Sequence, residues 1–353
     1  MARLRAGGEC VSDETAVACI GGQIASELVD STGDLCALDS DGRWIVVVDF
    51  EGTPTCLKFA RWRPGTPASV AGPWRGPAVN RYVSSLGRDS YVAAVASVRE
   101  GIAAGTLYQA NICRIMSAPI LEGTGGDVLG LAALLAQRNP APYASCVRVP
   151  HLGIEIASAS PELFIGRSGS TITSGPIKGT GAVASDLSAK DRAENIMIVD
   201  LVRNDLSKVA QPGSVAVPSL LRVEEHPTVV HLVSTVSAQL LTGIGWPEIM
   251  QATFPPGSVS GAPKFTALKM IEDLEPMARG PYCGAIGFVD ADNRSASLAV
   301  GIRTFWLTDG QRNKVLHFGT GAGITWGSDP QAEWEESELK ARHLTSVAAG
   351  VWT

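Results

Sequence analysis

Apolar and polar residues follow both strand and helix periods along this chain. The β-branched segment at 44–50 (WIVVVDF) lies between Asp-Gly and Glu-Gly pairs, which predicts a strand bounded by turns. Apolar residues at helical spacing predict long helices at 188–206 and 329–347. Further strands are predicted at 108–116, 146–156, 163–165, 171–174, 229–238, 284–289, 296–306 and 315–319, and further helices at 89–104 and 263–274. Because strands and helices mix without a regular βαβ alternation, we expect an α+β fold.

The composition is typical of a soluble globular protein. Of the 353 residues, 45% are hydrophobic and 18% are charged, so the chain can bury a large core. The net charge of -6 comes without a basic stripe, which argues against nucleic-acid binding. No stretch reaches the ~18 apolar residues of a membrane span, and the seven cysteines include no CxxC pair that would indicate a zinc site. We therefore expect a cytoplasmic protein with free thiols and with neither nucleic acid nor membrane as partner.

Two acidic pairs lie on the two long predicted helices. Asp191 and Glu194 are three residues apart on the first, and Glu333 and Glu336 are three apart on the second. This spacing places both carboxylates of a pair on one helix face. Two such faces opposite each other can hold Mg²⁺, which binds carboxylates and water. The spacing alone fits solvated helix faces equally well.

Two further residues are candidates for proton transfer and nucleophilic attack. Lys178 lies in a tight PIKGT loop after an apolar strand, where partial desolvation would lower its pKa and make it a nucleophile. Glu162 follows a Ser-Pro pair at the start of a strand, and it can serve as a general acid if burial raises its pKa. The alternative for Lys178 is an exposed loop lysine, and the alternative for Glu162 is an ordinary turn residue.

Two glycine-rich segments can present backbone N–H groups to a carboxylate. Residues 319–323 lack the GxGxxG spacing of a dinucleotide site, and residues 257–264 lack the ending of a Walker loop. Both can still bind an anion through the backbone, and Arg303 and Lys264 can complete an anion clamp. His231 lies in an apolar strand, where a histidine is most often a core residue.

The order of these motifs along the chain carries more information than any one of them. The motifs are YQAN at 108–111, SASPELF at 158–164, GPIKGT at 175–180, AENIMIVDLVRNDL at 193–206, HLVSTV at 231–236, FPPGSVSGAPK at 254–264, RGPYCGAIG at 279–287, GIRTF at 301–305 and GAGITWGSDPQAEWEES at 321–337. Together they resemble the chorismate-utilising enzymes, a family that includes anthranilate synthase component I, aminodeoxychorismate synthase component I, isochorismate synthase and salicylate synthase. The resemblance covers residues 85–345.

The resemblance implies a fold and a set of site residues. It implies two packed antiparallel-rich β-sheets surrounded by helices, with a chorismate-binding catalytic domain at 85–345 and a shortened, strand-rich N-terminal segment at 1–80 packed on it, in one compact domain overall. It implies Mg²⁺ bound by Glu194 and Glu336, with Asp191 and Glu333 holding metal-bound water. The implied catalytic residues are Lys178, Glu162, His231 and Thr180. The implied substrate-binding residues are Tyr282, Arg303, Gly321, Ala322, Gly323 and Lys340.

Two positions favour one branch of this family. Isochorismate and salicylate synthases carry a lysine where this chain has Gln109, so activation of water is disfavoured. PIKGT, with Lys178, is similar to the aminodeoxychorismate synthases, in which the lysine attacks C2 of chorismate and ammonia then adds at C4. The resemblance therefore implies a Mg²⁺-dependent amination that leads to 4-aminobenzoate and folate. One alternative is anthranilate synthase component I, because the SGAPK motif with Ser260 is similar to that branch. The other is a non-catalytic chorismate-binding scaffold.

The source of ammonia is expected to be another protein. Glutamine amidotransferases use a cysteine in a GxCxGxQ setting, and none of the seven cysteines here has that setting. We therefore expect a separate glutamine amidotransferase subunit to supply ammonia, and the isolated chain to use ammonia but not glutamine.

Overall fold

The computed structural model describes residues 13–120, 126–181, 183–225 and 230–351, and at positions 13, 14 and 180 it describes the backbone only. The strands are β1 Asp13–Ile20, β2 Gln23–Thr32, β3 Arg43–Val48, β4 Pro54–Pro64, β5 Val83–Ser84, β6 Gln109–Pro119, β7 Tyr143–Val149, β8 Ile154–Ser160, β9 Leu163–Ser168, β10 Thr171–Gly175, β11 Ile177–Gly181, β12 Ala216–Glu225, β13 Val230–Gln239, β14 Gly261–Ala262, β15 Ala285–Asp290, β16 Ser295–Val300, β17 Thr304–Asp309 and β18 Lys314–Ile324. The helices are α1 Arg88–Ala103, α2 Val128–Arg138, α3 Ala189–Ser207, α4 Trp246–Thr253, α5 Lys264–Leu274 and α6 Pro330–Ala348.

The strands form two antiparallel halves that share one strand. In the first half the order is β6, β18, β17, β8, β7 and β1. In the second half the order is β4, β3, β15, β16, β9, β10 and β13, and β11 and β12 also pair with β13. Strand β2 pairs with β1 of the first half and β4 of the second, so it joins the halves.

The largest hydrophobic core lies between these halves. It combines Cys113, Val147 and Ile156 of the first half with Trp44 and Leu298 of the second. Buried apolar area contributes about 25 cal/mol per Å², so a core shared in this way stabilises the packing of one half on the other. The predicted α+β fold with two packed antiparallel-rich sheets is confirmed, with the addition that β2 hydrogen-bonds to both.

Helices cover the sheet and bring the two acidic segments to the site. Helix α3 packs on β13, and α6 packs on β18 and α1. Each long helix begins at a polar cap that the sequence contains: the Ser188 hydroxyl accepts from the Asp191 N–H at 3.1 Å, and the Asp329 carboxylate accepts from the N–H groups of Gln331 and Ala332. Both long helices therefore lie where they were predicted. No helix within the described ranges is long and apolar enough to cross a membrane.

Two predicted strands are interrupted. The segment predicted at 146–156 contributes to both β7 and β8, which are joined through Pro150–Leu152 and Gly153, a residue with φ 68°. The segment at 296–306 divides into β16 and β17 around Arg303, which has φ 52°. Helix α2 was missed because residues 128–136 are apolar almost throughout, so no helical period is visible. The six cysteines in the described ranges are free, as expected.

Candidate active site

A cavity of about 530 Å³ lies between the end of β18, the β8–β9 turn, β11 and α6. It gathers most of the residues predicted for the site, although they come from distant parts of the chain. The predicted residues that line it are Glu162, Lys178, His231, Tyr282, Arg303, Gly321, Ala322, Gly323 and Lys340. The four predicted metal ligands lie outside its lining, on α3 and α6.

Lys178 reaches this cavity from β11. Its Nζ donates a hydrogen bond to the carbonyl oxygen of Ser258 at 3.0 Å. Burial lowers the pKa of its ammonium group below the ordinary 10.5, although two neighbouring carboxylates act in the opposite direction. The next residue, Gly179, has φ 88°, and a Cβ there would lie only 2.8 Å from the Cβ of Asp191. Glycine therefore lets β11 approach the first turn of α3, and this close approach places Lys178 in the cavity.

Glu162 lies in the turn between β8 and β9 and is only 4% exposed. Its backbone is fixed on both sides, because its N–H donates to the Ser160 hydroxyl at 3.3 Å and its carbonyl accepts from the Val300 N–H at 3.0 Å. Burial raises the pKa of its carboxyl from 4.5 to about 7, and smaller effects of Ser258, Lys178 and the Ile177 backbone lower it. A buried carboxyl group with this pKa is a competent proton donor near neutral pH.

The glycine-rich end of β18 forms one wall of the cavity. Strand β18 pairs with β6 as far as Ile324, but with β17 only as far as Phe318. Beyond Phe318, the other edge of β18 has no strand partner in the described ranges and can offer N–H groups to an anion. A Cβ at Gly323 would lie 2.8 Å from Gln109 Nε2, 2.9 Å from Asn111 Oδ1 and 3.2 Å from Lys178 Nζ. Glycine is therefore the residue that fits there without displacing its neighbours.

Tyr282 and Arg303 enter the cavity from the loops that precede β15 and β17. The ring of Tyr282 lies against Gly319, where a Cβ would overlap it, and the residue is only 6% exposed. Burial lowers the pKa of the Arg303 guanidinium below the ordinary 12.5. Arginine nevertheless keeps its charge at neutral pH. Arg303 therefore brings a positive charge and a planar set of donors into the cavity, which suits a carboxylate.

His231, Thr180 and Lys340 complete the predicted set. His231 is buried on β13, in register with Thr180 of β11. This histidine is therefore both a buried residue of the sheet and part of the cavity wall. The side chain of Thr180 lies outside the described residues, so its predicted role has no structural description. Lys340 lies on α6, half exposed, and its Nζ is 2.7 Å from Glu336 Oε1.

The four acids predicted for the metal site lie on two helices, and one lysine contacts an acid of each helix. Lys190 Nζ is 3.7 Å from Glu194 Oε1 on its own helix and 3.6 Å from Glu333 Oε1 on α6. Asp191 caps its own helix, because the N–H and the hydroxyl of Ser188 donate to its Oδ2 at 2.8 and 2.6 Å. In the described ranges no three His, Cys, Asp or Glu side chains are close enough to hold a metal ion. Lys190 pairs with Glu194 and Glu333 instead, and Lys340 pairs with Glu336.

The environment of Glu194 nevertheless suits a dication. Its Oε1 is buried and accepts no hydrogen bond. Burial raises the pKa of Glu194 above 4.5, against the opposing effects of Lys178 and Lys190. Burial acts in the same direction on Glu336, but the combined effects of Lys340 and Lys190 lower the pKa of that carboxyl below 4.5. A buried carboxylate oxygen without a donor is costly, and a hard cation such as Mg²⁺ would satisfy it.

Other polar residues of the cavity were missed, and one prediction was wrong. Asn111 and Ser258 line the cavity, and the Asn111 amide donates to the same Ser258 carbonyl that accepts from Lys178. Their motifs were recognised, but sequence spacing does not show that segments so far apart meet. Lys264 was expected to help bind an anion. It lies outside the cavity lining and pairs with Asp205 at 2.7 Å, because the β14–α5 corner directs its side chain towards α3.

Comparison with known proteins identifies the family. A family model described as chorismate binding enzyme matches residues 58–346, most of the chain. The chain belongs to the chorismate binding enzyme family. Its cavity, with Glu162, Lys178 and the glycine-rich end of β18 on its walls, is formed by the part of the chain that the family model matches.

Curated relatives of this chorismate binding enzyme carry two different names. Anthranilate synthase component 1 of Streptomyces coelicolor is 38% identical over 282 residues, which are 75% of this chain and 52% of that protein. Aminodeoxychorismate synthase component 1 of Escherichia coli is 39% identical over 274 residues, which are 74% of this chain and 58% of that protein. The chain thus spans little more than half the length of these relatives. Both names match equally well, so the choice between them rests on residues in the cavity.

The solved structures support the fold of the family. Anthranilate synthase component I from Streptococcus pneumoniae matches with a TM-score of 0.73 at 22% identity, over 98% of this chain and 94% of that chain. At this identity the likeness concerns the fold, and it agrees with the anthranilate synthase component I-like architecture expected from the sequence.

Proposed function

We propose that this chorismate binding enzyme is the component I of an aminodeoxychorismate synthase, which aminates chorismate at C4 with ammonia to give 4-amino-4-deoxychorismate. One observation supports this choice above all. The amino group of Lys178 is desolvated in the same cavity as the protonatable carboxyl of Glu162. A nucleophile and an acid on one cavity are what a two-step displacement of the C4 hydroxyl requires.

The proposed steps use these two residues in turn. Uncharged Lys178 attacks C2 of chorismate, both ring double bonds shift along C1, C6 and C5, and the C4–O bond breaks as Glu162 gives its proton to the departing hydroxyl, which leaves as water. Ammonia then forms the C4–N bond, both double bonds shift back, and the C2–N bond breaks so that Lys178 leaves as an uncharged amine. The new ammonium group at C4 returns one proton to Glu162. The net reaction exchanges ammonia for water.

The remaining walls of the cavity suit the two carboxylates of chorismate. Arg303, Tyr282 and the open edge of β18 at Gly321, Ala322 and Gly323 offer donors to the enolpyruvyl carboxylate. Lys340 adds a second positive charge to the cavity lining. His231 is proposed as a further active-site residue, and Thr180 as its neighbour on β11.

Mg²⁺ is proposed as the cofactor. Glu194 and Glu336 would hold it directly, and Asp191 and Glu333 would hold its water ligands. A bound Mg²⁺ would neutralise the ring carboxylate of chorismate. Because Lys190 and Lys340 now pair with these acids, the cation would have to displace their ammonium groups.

Anthranilate synthase component I is the second candidate. The similarity to the Streptomyces coelicolor protein of that name supports it. Incubation of the purified chain with chorismate, Mg²⁺ and an ammonium salt separates the two by product, and 4-amino-4-deoxychorismate is expected. Anthranilate as the main product would establish the second candidate. Binding of chorismate without turnover would indicate a non-catalytic scaffold. Lys178→Ala serves as the control for the role of the lysine.

A separate glutamine amidotransferase subunit is proposed as the source of ammonia. Support comes from the relatives, which are named as component 1 of their enzymes. The purified chain is expected to use ammonium salts and to be inactive with glutamine, measured by product formation with each nitrogen source. Glutamine-dependent turnover by the single purified chain would contradict this. We also propose that the product supplies folate synthesis and that the protein is cytoplasmic. Residues 1–80 are proposed as the N-terminal segment and residues 85–345 as the catalytic domain.

A further inference from the structure

A second, much smaller cavity lies behind Glu162. It has a volume of about 20 Å³ and is lined by buried residues of β9, β10, α3 and the 253–258 segment. Glu162 and Ser258 line both this cavity and the large one, so they form part of the wall between them. About 10–15 Å³ is enough to hold one water molecule when the walls are polar. The lining of the small cavity is mixed: most of it is apolar, but Asp205, Thr253 and Ser174 join Glu162 and Ser258 as polar residues.

Asp205 is the second acidic residue that lines the small cavity, after Glu162. It is only 4% exposed on α3, and each of its oxygens has a lysine partner. Lys208 Nζ donates to Oδ1 at 3.0 Å, and Lys264 Nζ lies 2.7 Å from Oδ2. Lys264 also donates to the Thr253 carbonyl at 2.6 Å, which fixes its position. A carboxylate between two ammonium groups can only accept further hydrogen bonds.

The hydrogen-bonding capacity of Asp205 determines how a water in this cavity must be oriented. One O–H of the water has to point at Asp205, because a carboxylate offers no donor. The other O–H is then free to donate to Glu162. If it does, one oxygen of Glu162 is an acceptor, and the acidic proton lies on the other oxygen, which is then available to substrate in the large cavity.

We propose that one water molecule in the small cavity links Asp205 to Glu162, and that Asp205 is a positioning residue that keeps the proton of Glu162 on the side of the large cavity. The proposal rests on the proposed function in one respect: Glu162 must give that proton to the C4 hydroxyl. It applies equally to an aminodeoxychorismate and an anthranilate synthase, since both expel this hydroxyl.

Two variants disturb the link in different ways. Asp205→Asn keeps the shape but replaces an obligate acceptor with an amide that can also donate. Val300→Ile adds one methylene to a residue that lines the small cavity and belongs to neither the catalytic set nor the charged network, so it displaces the water. Val147→Ile, at an equally buried strand valine of the other half of the sheet, is the matched control for overpacking. Thermal unfolding of each variant shows whether it is folded.

The first measurement is the titration of Glu162 in the free chain. Infrared difference spectra against Glu162→Gln assign the band of its protonated carboxyl. The other titratable residues that line the large cavity are unchanged in every variant: Lys178, His231, Tyr282, Arg303, Lys340 and His343. A shift in the titration of Glu162 therefore reports on the small cavity. Asp205→Asn should lower the midpoint, because two lysine charges lose their counterion, and Val300→Ile should raise it, because Glu162 loses a donor.

The second measurement is turnover of chorismate. Both Asp205→Asn and Val300→Ile should lower kcat about tenfold or more, part of the 10²–10⁴-fold that a general acid contributes, with KM for chorismate little changed. Val147→Ile should match the unmodified chain. If Asp205 only anchors α3, its variant will unfold at lower temperature while the Glu162 band stays in place. A Val300→Ile chain that matches Val147→Ile in both measurements overturns the proposal. Because the infrared titration needs no turnover, its result stands whichever product is formed.

Discussion

Burial of Glu162 should make the stability of the fold depend on pH in a way that one substitution removes. The carboxyl is only 4% exposed, and burial raises its pKa from 4.5 to about 7. Glu162→Gln keeps the size and shape of the side chain but cannot ionise. The difference in unfolding free energy between the two proteins therefore isolates the ionisation of this one group.

The sign and size of the effect follow from linkage. Between pH 4.5 and about 7 the unfolded chain has lost the Glu162 proton while the folded chain keeps it. Stability therefore falls as the pH rises through this window. A shift from 4.5 to about 7, at about 1.4 kcal/mol per pH unit, gives a loss of about 3.5 kcal/mol relative to Glu162→Gln. Below pH 4.5 and above pH 7 the difference between the two proteins should be constant.

Urea denaturation of both proteins at several pH values between 4 and 8 measures this difference. Leu163→Met is a neighbouring change that adds and removes no ionisable group. Its unfolding free energy should differ from that of the unmodified chain by the same amount at every pH. A Glu162→Gln difference that is also independent of pH would refute the shifted pKa and, with it, the assignment of Glu162 as a neutral acid at neutral pH. In turnover, Glu162→Gln should lower kcat by about 10²–10⁴-fold while chorismate still binds.

Mass spectrometry of the chain with chorismate and without ammonia should show a covalent adduct on Lys178; an adduct elsewhere, or none, would reduce Lys178 to a positioning cation. Glu194→Gln should abolish Mg²⁺-dependent turnover with the circular dichroism unchanged, whereas full activity of the unmodified chain in excess chelator would contradict the metal assignment. Gly323→Ala should lower kcat, though by less than the ~10²-fold of a 1 Å misplacement, because its Cβ would crowd Gln109, Asn111 and Lys178. Gly327→Ala, where a Cβ meets nothing within 4 Å, is its control and should keep full activity.

The sequence predicted those parts of the fold that local chemistry specifies. Helices α3 and α6 lie where they were predicted because Ser188 and Asp329 provide N-caps and the apolar stripes that follow have the period of a helix. Strand β3 was predicted by a β-branched run between turns. The same rules did not find the turn at Gly153 or the break at Arg303, because neither segment contains an Asn-Gly or Asp-Gly pair.

The geometry of the site depends on contacts that no local pattern specifies. Lys178 and the Ser258 carbonyl that it contacts are 80 residues apart in sequence. The resemblance to a family gave the identity of the residues that line the cavity, but it did not show the pairing of Lys190 with acids of both helices, or of Lys264 with Asp205. These ion pairs depend on how separate helices pack, and packing is settled only when the whole core is assembled.

The shared burial of Lys178 and Glu162 also explains how a nucleophile and an acid can act in one cavity. A neutral lysine beside a protonated glutamate holds the same number of protons as the corresponding ion pair, so pH does not change the ratio of these two forms. That ratio depends on the difference between the two pKa values. The rise of the Glu162 pKa from 4.5 to about 7 increases the share of the neutral pair about 300-fold, and the lowered pKa of Lys178 increases it further. Desolvation therefore prepares both groups for the first proposed step at once. A change that admits water to the cavity should weaken both together.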